Sequence, residues 1–251
     1  MIDPSVKRML RRYAGRYETA DFLLDDPSRF MHQVDGGANR EATAFIASCL
    51  SFGKRELFCA KIQGIVDCAG GDVDAWVREG RFARTFPCGC GRCFYRFFTQ
   101  GNMYEFLSEY RRLLDEHGTL GEYVGKEAGG DGFGAIKAIC RRFGSCGPAP
   151  VVPRDVQSAC KRVCMFLRWM VRGNSPVDLG LWENAIDRRT LVMPLDVHVV
   201  KQSVRLGLLS SATASMSAAR RLTASLAEVF PDDPLRGDFA LFGYGVNHKD
   251  A

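Results

Sequence analysis

The chain has 251 residues, 46% of them hydrophobic and 25% charged, which is typical of a folded globular protein and excludes extensive disorder. The formal net charge of +5, from 34 Lys and Arg against 29 Asp and Glu, tolerates a nucleic-acid partner without requiring one. No apolar run approaches the ~18 residues of a membrane helix, and no secretory pattern opens the chain, so we expect no membrane association and a cytoplasmic location.

Apolar residues recur mostly at steps of three and four, and no alternating β-branched stretch is long enough to suggest a strand. We therefore predict an all-α protein, mostly or entirely helical. The predicted helices span residues 4–17, 27–34, 39–52, 54–69, 72–79, 102–117, 131–143, 155–172, 195–207, 215–229 and 234–243.

The strongest candidate for a linker is the stretch 144–150, in which two prolines and two glycines disfavour any regular element. It predicts a front helical lobe over 1–147 and a second lobe over 148–251. One continuous domain with a central cleft, in which the N-terminal helices join the second lobe, is the alternative.

A stripe of side chains at steps of four, three and four runs along the predicted helix 155–172. It comprises Lys161, Met165, Arg168 and Arg172, with Arg162 and Trp169 beside it. One interpretation is the solvated face of an amphipathic helix, whose long cationic stems cover neighbouring residues. The other is an edge that faces phosphates, where the cations neutralise a nucleic-acid backbone.

Asp196 follows Pro194 and opens the predicted helix 195–207. It can be a simple helix cap, which stabilises by ~1 kcal/mol. A carboxylate here can also stabilise the positive charge that develops on a sugar during glycosidic cleavage, or accept a proton from a nucleophile. His198 is turned about 200° away on the helix, so we interpret it as a packing or capping residue.

Two segments resemble the helix-hairpin-helix DNA glycosylase superfamily. Lys161, followed five residues later by Phe-Leu-Arg, looks like the catalytic helix of the enzymes that remove oxidised guanine. The Asp-x-His of 196–198, followed by Arg-Leu-Gly-Leu at 205–208, is similar to a second signature of the superfamily. Roughly residues 156–245 resemble a bacterial family of unknown function that looks like a remote branch of this superfamily.

The resemblance implies a two-lobed helical bundle of the helix-hairpin-helix glycosylase type with a cleft between the lobes. Lys161 would attack the sugar C1′ of a damaged purine, first of all oxidised guanine, and form a Schiff base. Asp196 would be its electrostatic and proton-transfer partner. The implied activity is that of a DNA N-glycosylase with AP lyase activity on damaged duplex DNA, without a cofactor. We expect a monomer by default, although the sequence leaves the oligomeric state open.

The chain departs from the superfamily around these motifs. The stretch 153–158 replaces the Gly-x-Gly turn that grips a DNA phosphate, and we expect Arg154 and Ser158 to substitute in part. The stretch 173–194 reads as an insertion that covers the site or contributes to base recognition. No cysteine follows Cys164, so we expect no iron–sulfur cluster. The aromatic candidates for a base pocket are Trp169, Trp182, Phe239 and Tyr244.

Two further motifs lie at residues 88–98. Cys88, Cys90 and Cys93 place three thiols within six residues, a weak indication of a metal site because a fourth ligand is not evident, and surface thiols are the main interpretation. The run 94–98 holds four aromatic residues and one arginine. It predicts either core packing or stacking on an extruded base.

A second functional hypothesis is a catalytically inactive nucleic-acid-binding or structural protein that retains the glycosylase fold. Lys161 and Asp196 would then form a salt bridge. A third is action on RNA or on a free nucleoside. The sequence leaves open which base or lesion is recognised.

Overall fold

The computed structural model describes residues 2–147 and 149–247, which form two compact units. Unit 1 comprises the described residues of Met1–Leu24, Gly130–Ile136 and Val156–Ala251. Unit 2 comprises Asp25–Gly129 and the described residues of Lys137–Asp155. The units interleave along the chain, and unit 1 combines N-terminal residues with the described part of the chain after residue 155.

Helices dominate the described residues, which confirms the predicted mostly helical class. The helices are α1 (Pro4–Tyr17), α2 (Arg29–His32), α3 (Gly37–Leu50), α4 (Arg55–Ala69), α5 (Val73–Arg78), α6 (Phe82–Thr85), α7 (Gln100–His117), α8 (Leu120–Ala128), α9 (Gly132–Phe143), α10 (Lys161–Val171), α11 (Val197–Arg205), α12 (Met216–Ala227) and α13 (Arg236–Asn247). Short 3₁₀ turns occupy Ala20–Leu24 and Arg188–Thr190, and strands β1 (Cys93–Tyr95) and β2 (Phe98–Thr99) form an antiparallel hairpin. Within the described ranges, no helix has the length and apolar character needed to cross a membrane.

Side-chain caps fix where several helices begin. The carboxylate of Asp3 accepts the N–H of the second residue of α1. Thr99 with Asn102 forms a reciprocal capping box at the start of α7, and Thr119 with Glu122 does the same at α8. Each cap satisfies backbone N–H groups that lack a partner inside the helix, and contributes ~1 kcal/mol.

The structure corrects the predicted elements at four places, one of which is the four-residue helix α6, which was not predicted. The predicted helix 155–172 begins only at Lys161, because Cys160 has φ of 46° and ψ of 37°, a left-handed conformation that a right-handed helix cannot include. Helix α8 was missed despite its capping box. The hairpin was missed because its strands have three and two residues and carry aromatic rather than alternating β-branched side chains.

The core of unit 2 surrounds α3. The ring of Phe45 lies 5.5, 5.3 and 5.0 Å, centroid to centroid, from those of Phe106, Tyr110 and Phe143. The buried carboxylate of Glu41, on the same helix, accepts the first two backbone N–H groups of α8 at 2.8 and 3.1 Å. A charge on one helix thereby satisfies the start of another.

In unit 1, α10 is buried over Val163–Val171, and α13 packs against α1 and α11. The predicted insertion 173–194 folds back onto the carboxyl-terminal end of α10. The N–H of Leu179 donates to the carbonyl of Trp169, and the N–H of Trp182 donates to that of Met170, each at 2.7 Å. These contacts lie about 12 Å along the helix axis from Lys161.

We expect Glu41→Gln to lower the free energy of unfolding by ~1–3 kcal/mol, because the amide offers fewer acceptors to the start of α8 and buries an N–H₂ group. Urea denaturation at pH 7 measures this change. Glu56→Gln, at an exposed position on α4, is the control and should change the value by less than ~0.5 kcal/mol. Equal midpoints and slopes for both variants would contradict a capping role for Glu41.

Candidate active site

Lys161 and Asp196, the two residues that the sequence singled out, lie next to each other in unit 1. Lys161 Nζ is 3.8 Å from Asp196 Oδ2, and the two side chains are 37% and 16% exposed. This separation is longer than a hydrogen bond, so the amine forms a loose ion pair that is open to solvent.

The local backbone explains this arrangement. Lys161 is the first residue of α10, directly after the left-handed Cys160, and no side chain caps this helix. Asp196 is extended, and its Oδ1 accepts the N–H of Val199 at 2.7 Å to cap α11. Because the cap engages Oδ1, the other oxygen is held toward Lys161.

The stripe that begins at Lys161 turns into the interior. Met165 is buried, and the side chains of Arg168 and Arg172 are only 4% and 2% exposed. The predicted solvent-facing, phosphate-contacting stripe is therefore wrong at Arg168 and Arg172. The spacing correctly predicted that these residues share one face of α10. Beyond Lys161, however, other parts of unit 1 cover this face.

Both arginines are held by buried carboxylates. Arg168 pairs with Asp178 through Nε at 3.2 Å and with Asp238 through Nη1. Arg172 contacts Glu18 at 2.6 Å, Asp233 at 2.9 Å and also Asp178, which it therefore shares with Arg168. Arg236 pairs with Glu18 at 3.1 Å. We call Glu18, Arg168, Arg172, Asp178, Asp233, Arg236 and Asp238 the buried charge network, in which Arg236 is the exposed member, with 44% of its side chain in solvent.

The buried charge network is electrostatically coupled to the exposed pair. It holds four carboxylates against three guanidinium groups. Burial raises the pKa of Asp238 to about 6, against the opposing effect of Arg168, and the nearby carboxylate of Asp196 raises it further. Burial also raises the pKa of Asp178. The pKa of Asp238 therefore depends in part on the charge of Asp196.

Sequence reasoning missed the four acidic members of this network as partners of the arginines. Asp178, Asp233 and Asp238 lie within residues 156–245, the part of the chain that carries the family resemblance. This resemblance is the signal that could have identified them. Glu18 carries no such signal, because 154 residues separate it from Arg172.

The aromatic residues predicted for a base pocket serve other purposes. Phe239 is fully buried, with the Cζ atoms of Arg168 and Arg172 at 4.5 and 5.3 Å from its ring centroid. Trp169 and Trp182 are buried as well, so the prediction of an open pocket is wrong for these three. Tyr244 is half-buried, and its ring lies 4.8 Å from that of Tyr13.

The remaining predicted contacts to nucleic acid are accessible. Ser158 is exposed and pairs through its backbone with Ser215, while Arg162 is half-buried beside Lys161. Arg154 is exposed in unit 2 and donates to the carbonyl of Gly147 at 3.5 Å. Ser158 and Arg162 thus share unit 1 with the Lys161–Asp196 pair, whereas Arg154 belongs to unit 2.

The 173–194 segment also borders a groove of about 640 Å³ in unit 1. Its walls include Val171, from the end of α10 that is remote from Lys161, and Asp232. Arg189 pairs there with Asp187 at 2.7 Å, and Arg188 Nε donates to the carbonyl of Asp232 at 2.9 Å. Lys161 and Asp196 do not line this groove.

Two of the three thiols of residues 88–93 donate hydrogen bonds to protein atoms, and the third is exposed. Cys90 Sγ donates to the side-chain oxygen of Gln100, and Cys93 Sγ to the carbonyl of Arg96, each at 3.1 Å. Cys88 is exposed. Across residues 2–147 and 149–247, no three His, Cys, Asp or Glu side chains are grouped so as to hold a metal ion.

A family profile described as Protein of unknown function (DUF2400) matches residues 26–247, which is most of the chain. The chain therefore belongs to this family. No curated protein and no solved structure matches it.

We expect Arg172→Met to lower the free energy of unfolding by ~3–5 kcal/mol, because the substitution removes a buried cation that three carboxylates share, and the remaining ion pairs of Arg168 and Arg236 reach only Asp178 and Glu18 among them. Chemical denaturation measures the loss. Arg189→Gln, which removes an exposed ion pair, is the control and should leave the value nearly unchanged. Equal stability of the two variants would show that the buried charge network does not stabilise the fold.

The raised pKa of Asp238 predicts in which direction the free energy of unfolding changes with pH. Its pKa of about 6 in the folded protein exceeds the ~3.9 of an unfolded aspartate, so between these values the folded state binds more protons. Its contribution to the free energy of unfolding therefore decreases as the pH rises through this window. We expect the wild-type value minus that of Asp238→Asn to fall by on the order of 3 kcal/mol between pH 4 and 7. Denaturation at several pH values tests this, and a constant difference would contradict it.

Proposed function

We propose that this member of the DUF2400 family is a DNA base-excision repair enzyme, a glycosylase with AP lyase activity, in which Lys161 is the nucleophile and Asp196 its partner. The substrate would be a damaged purine in DNA, with oxidised guanine as the first candidate. The helix-hairpin-helix type of fold belongs to this proposal, since it rests on the resemblance of the two motifs.

The observation that carries the proposal is the geometry of the Lys161–Asp196 pair. Two motifs 35 positions apart place an amine and a carboxylate 3.8 Å from each other, with the amine 37% exposed. The loose contact leaves the amine without a tight hydrogen bond to this carboxylate. A nucleophile and a proton acceptor in reach of one another, open to a substrate, are what covalent catalysis at a sugar carbon requires.

The reaction proposed for this pair begins with a proton transfer. Lys161 gives a proton to Asp196, and the neutral amine attacks C1′ as the bond from C1′ to the base breaks. The base leaves with the bonding electrons and takes up the proton that Asp196 had accepted, which restores the carboxylate. The nitrogen then passes a proton to O4′ as the C1′–O4′ bond opens, and a protonated Schiff base forms between the nitrogen and C1′. The restored carboxylate of Asp196 stabilises the positive charge of this Schiff base.

The start of α10 supports binding of a phosphate near this pair. The helix has no side-chain cap, and the positive end of its dipole favours an anion. Arg162 and Ser158 remain the proposed phosphate contacts in unit 1, while Arg154 is a separate proposal for unit 2. Arg168 and Arg172 are not part of the proposed phosphate site, because both are buried.

One observation favours the second candidate, an inactive nucleic-acid-binding or structural protein. Asp196 caps α11, which gives its carboxylate a structural purpose without any reaction. Lys161 would then only neutralise this cap. The two candidates differ in whether the amine forms a covalent bond with a sugar.

Borohydride trapping separates them. The protein is incubated with duplexes that carry oxidised guanine, uracil or an abasic site, and borohydride reduces any Schiff base to a stable amine. We expect a covalent adduct with the wild type and none with Lys161→Arg, which keeps the positive charge but not the nucleophile. Asp196→Asn retains a good helix cap and removes the carboxylate, so it should slow trapping by about 10²-fold or more.

The matched control is Lys201→Gln, which changes an exposed lysine in the same unit and should trap like the wild type. Circular dichroism and thermal unfolding verify that each variant is folded. Absence of both adduct and base release across a broad panel of lesions, with folded wild type, would refute the enzyme proposal and favour the second candidate.

A further inference from the structure

The β1–β2 hairpin of unit 2 presents an exposed aromatic side chain. Tyr95 and Phe98 point inward and are buried, whereas Phe97, at the tip, is 64% exposed. The ring of Phe97 lies 5.3 Å from that of Phe52 and 4.6 Å from that of Phe98, so it is supported from behind. A large apolar side chain is thus held in a fixed place with most of its surface in solvent.

The tip is held in an unfavourable backbone conformation. Arg96 has φ of 53°, the left-handed region in which glycine is normally found at hairpin turns. Its guanidinium lies over the ring of Phe52 at 5.9 Å, and a Cβ on Gly53 would come within 2.8 Å of Arg96 Nη1. Such strain in a supported turn is characteristic of sites with a function beyond packing.

Exposed cations lie in the hairpin and in the segments that contact it or adjoin it in the chain. Arg96 belongs to it, Lys54 and Arg55 follow Phe52 and Gly53 in the chain, and the Nζ of Lys61 lies 5.1 Å from the ring centroid of Phe94 in β1. Arg92, which is also exposed, precedes β1. Within the described residues, none of these five cations forms an ion pair with a carboxylate. We call Phe97 with these five cations the hairpin surface.

We infer that the hairpin surface binds single-stranded nucleic acid, with a base stacked on Phe97 and phosphates on the surrounding cations. An exposed aromatic face flanked by cations is the combination that such proteins use, since every base has a flat π-face and every nucleotide carries a phosphate. The inference goes beyond the proposed function, because binding here requires no chemistry at Lys161.

The charge pattern favours nucleic acid over a protein partner. Within the described residues, Glu56 is the acidic residue between Lys54 and Lys61. An apolar protein partner would bury five cations without a carboxylate to pair with them, which is unfavourable. A polyanion neutralises them and releases counterions, so binding should be strongly salt-dependent.

The test measures fluorescence anisotropy of a labelled short oligodeoxythymidine with the full chain, over NaCl concentrations between about 50 and 300 mM. Phe97→Leu keeps an apolar side chain and removes the ring, so binding should weaken at least about fivefold with an unchanged salt dependence. The double variant Lys54→Gln with Arg92→Gln should reduce the slope of log K against log salt by ~1.4, about 0.7 for each lost phosphate contact. Lys126→Gln, an exposed lysine on α8 of the same unit, should bind like the wild type.

Affinities that are equal for the wild type and Phe97→Leu, or no binding by the wild type at low salt, would overturn the inference. So would a dimer in sedimentation velocity that Phe97→Leu dissociates without any change in oligonucleotide affinity, since a second copy would then be the occupant. The trapping result is independent. Loss of binding in Phe97→Leu without any borohydride adduct in the wild type would refute the proposed function and leave this inference standing.

Discussion

The guanidinium of Arg172 is buried against carboxylates from three separate parts of the chain, namely Glu18, Asp178 and Asp233. Moving each of these charges out of water costs several kcal/mol, and the cost is offset only when all partners are present and hydrogen-bonded. The segment after α1, helix α10, the 173–194 segment and the turn before α13 must therefore take their places together. Unit 1 is organised around this requirement.

The same constraint positions the candidate active site. Lys161 begins the helix face that Arg168 and Arg172 anchor, and Asp196 lies close enough to Asp238 to influence its pKa. The amine and the carboxylate thus lie at the start of a helix that buried ion pairs hold in place. Four carboxylates against three guanidinium groups give the buried charge network a formal excess of one negative charge, which suits a cationic intermediate on the proposed sugar substrate.

Sequence alone predicted most helices, because the spacing of apolar residues follows directly from helix geometry. It also singled out Lys161 and Asp196, each in a short motif, and the structure places these two side chains 3.8 Å apart. It failed where the answer depends on which distant segments meet. Spacing places Lys161, Arg168 and Arg172 on one face but does not say how far along the helix this face stays exposed, and no local signal pairs Arg172 with Glu18. The hairpin was missed because two short aromatic strands have no periodicity to detect.

Phe97 is another residue whose burial the sequence could not predict. The aromatic run 94–98 was open to two interpretations, core or base stacking. The structure buries Tyr95 and Phe98 in the core and leaves Phe97 exposed, so base stacking on Phe97 stays a prediction. The two segments that flank α10 differ in what they contribute. Residues 153–158 come shortly before the left-handed Cys160, and the 173–194 segment supplies Asp178 to the buried charge network.

The central claim is that the amine of Lys161 forms a covalent bond with a deoxyribose. The most direct measurement is mass spectrometry of proteolytic fragments after borohydride reduction of the protein with an oligonucleotide that carries an abasic site. We expect the reduced sugar on the peptide that contains Lys161 and on that residue within it. A modification confined to other amines, or an unmodified Lys161 peptide after incubation of the folded protein with excess abasic oligonucleotide and borohydride, would contradict the claim.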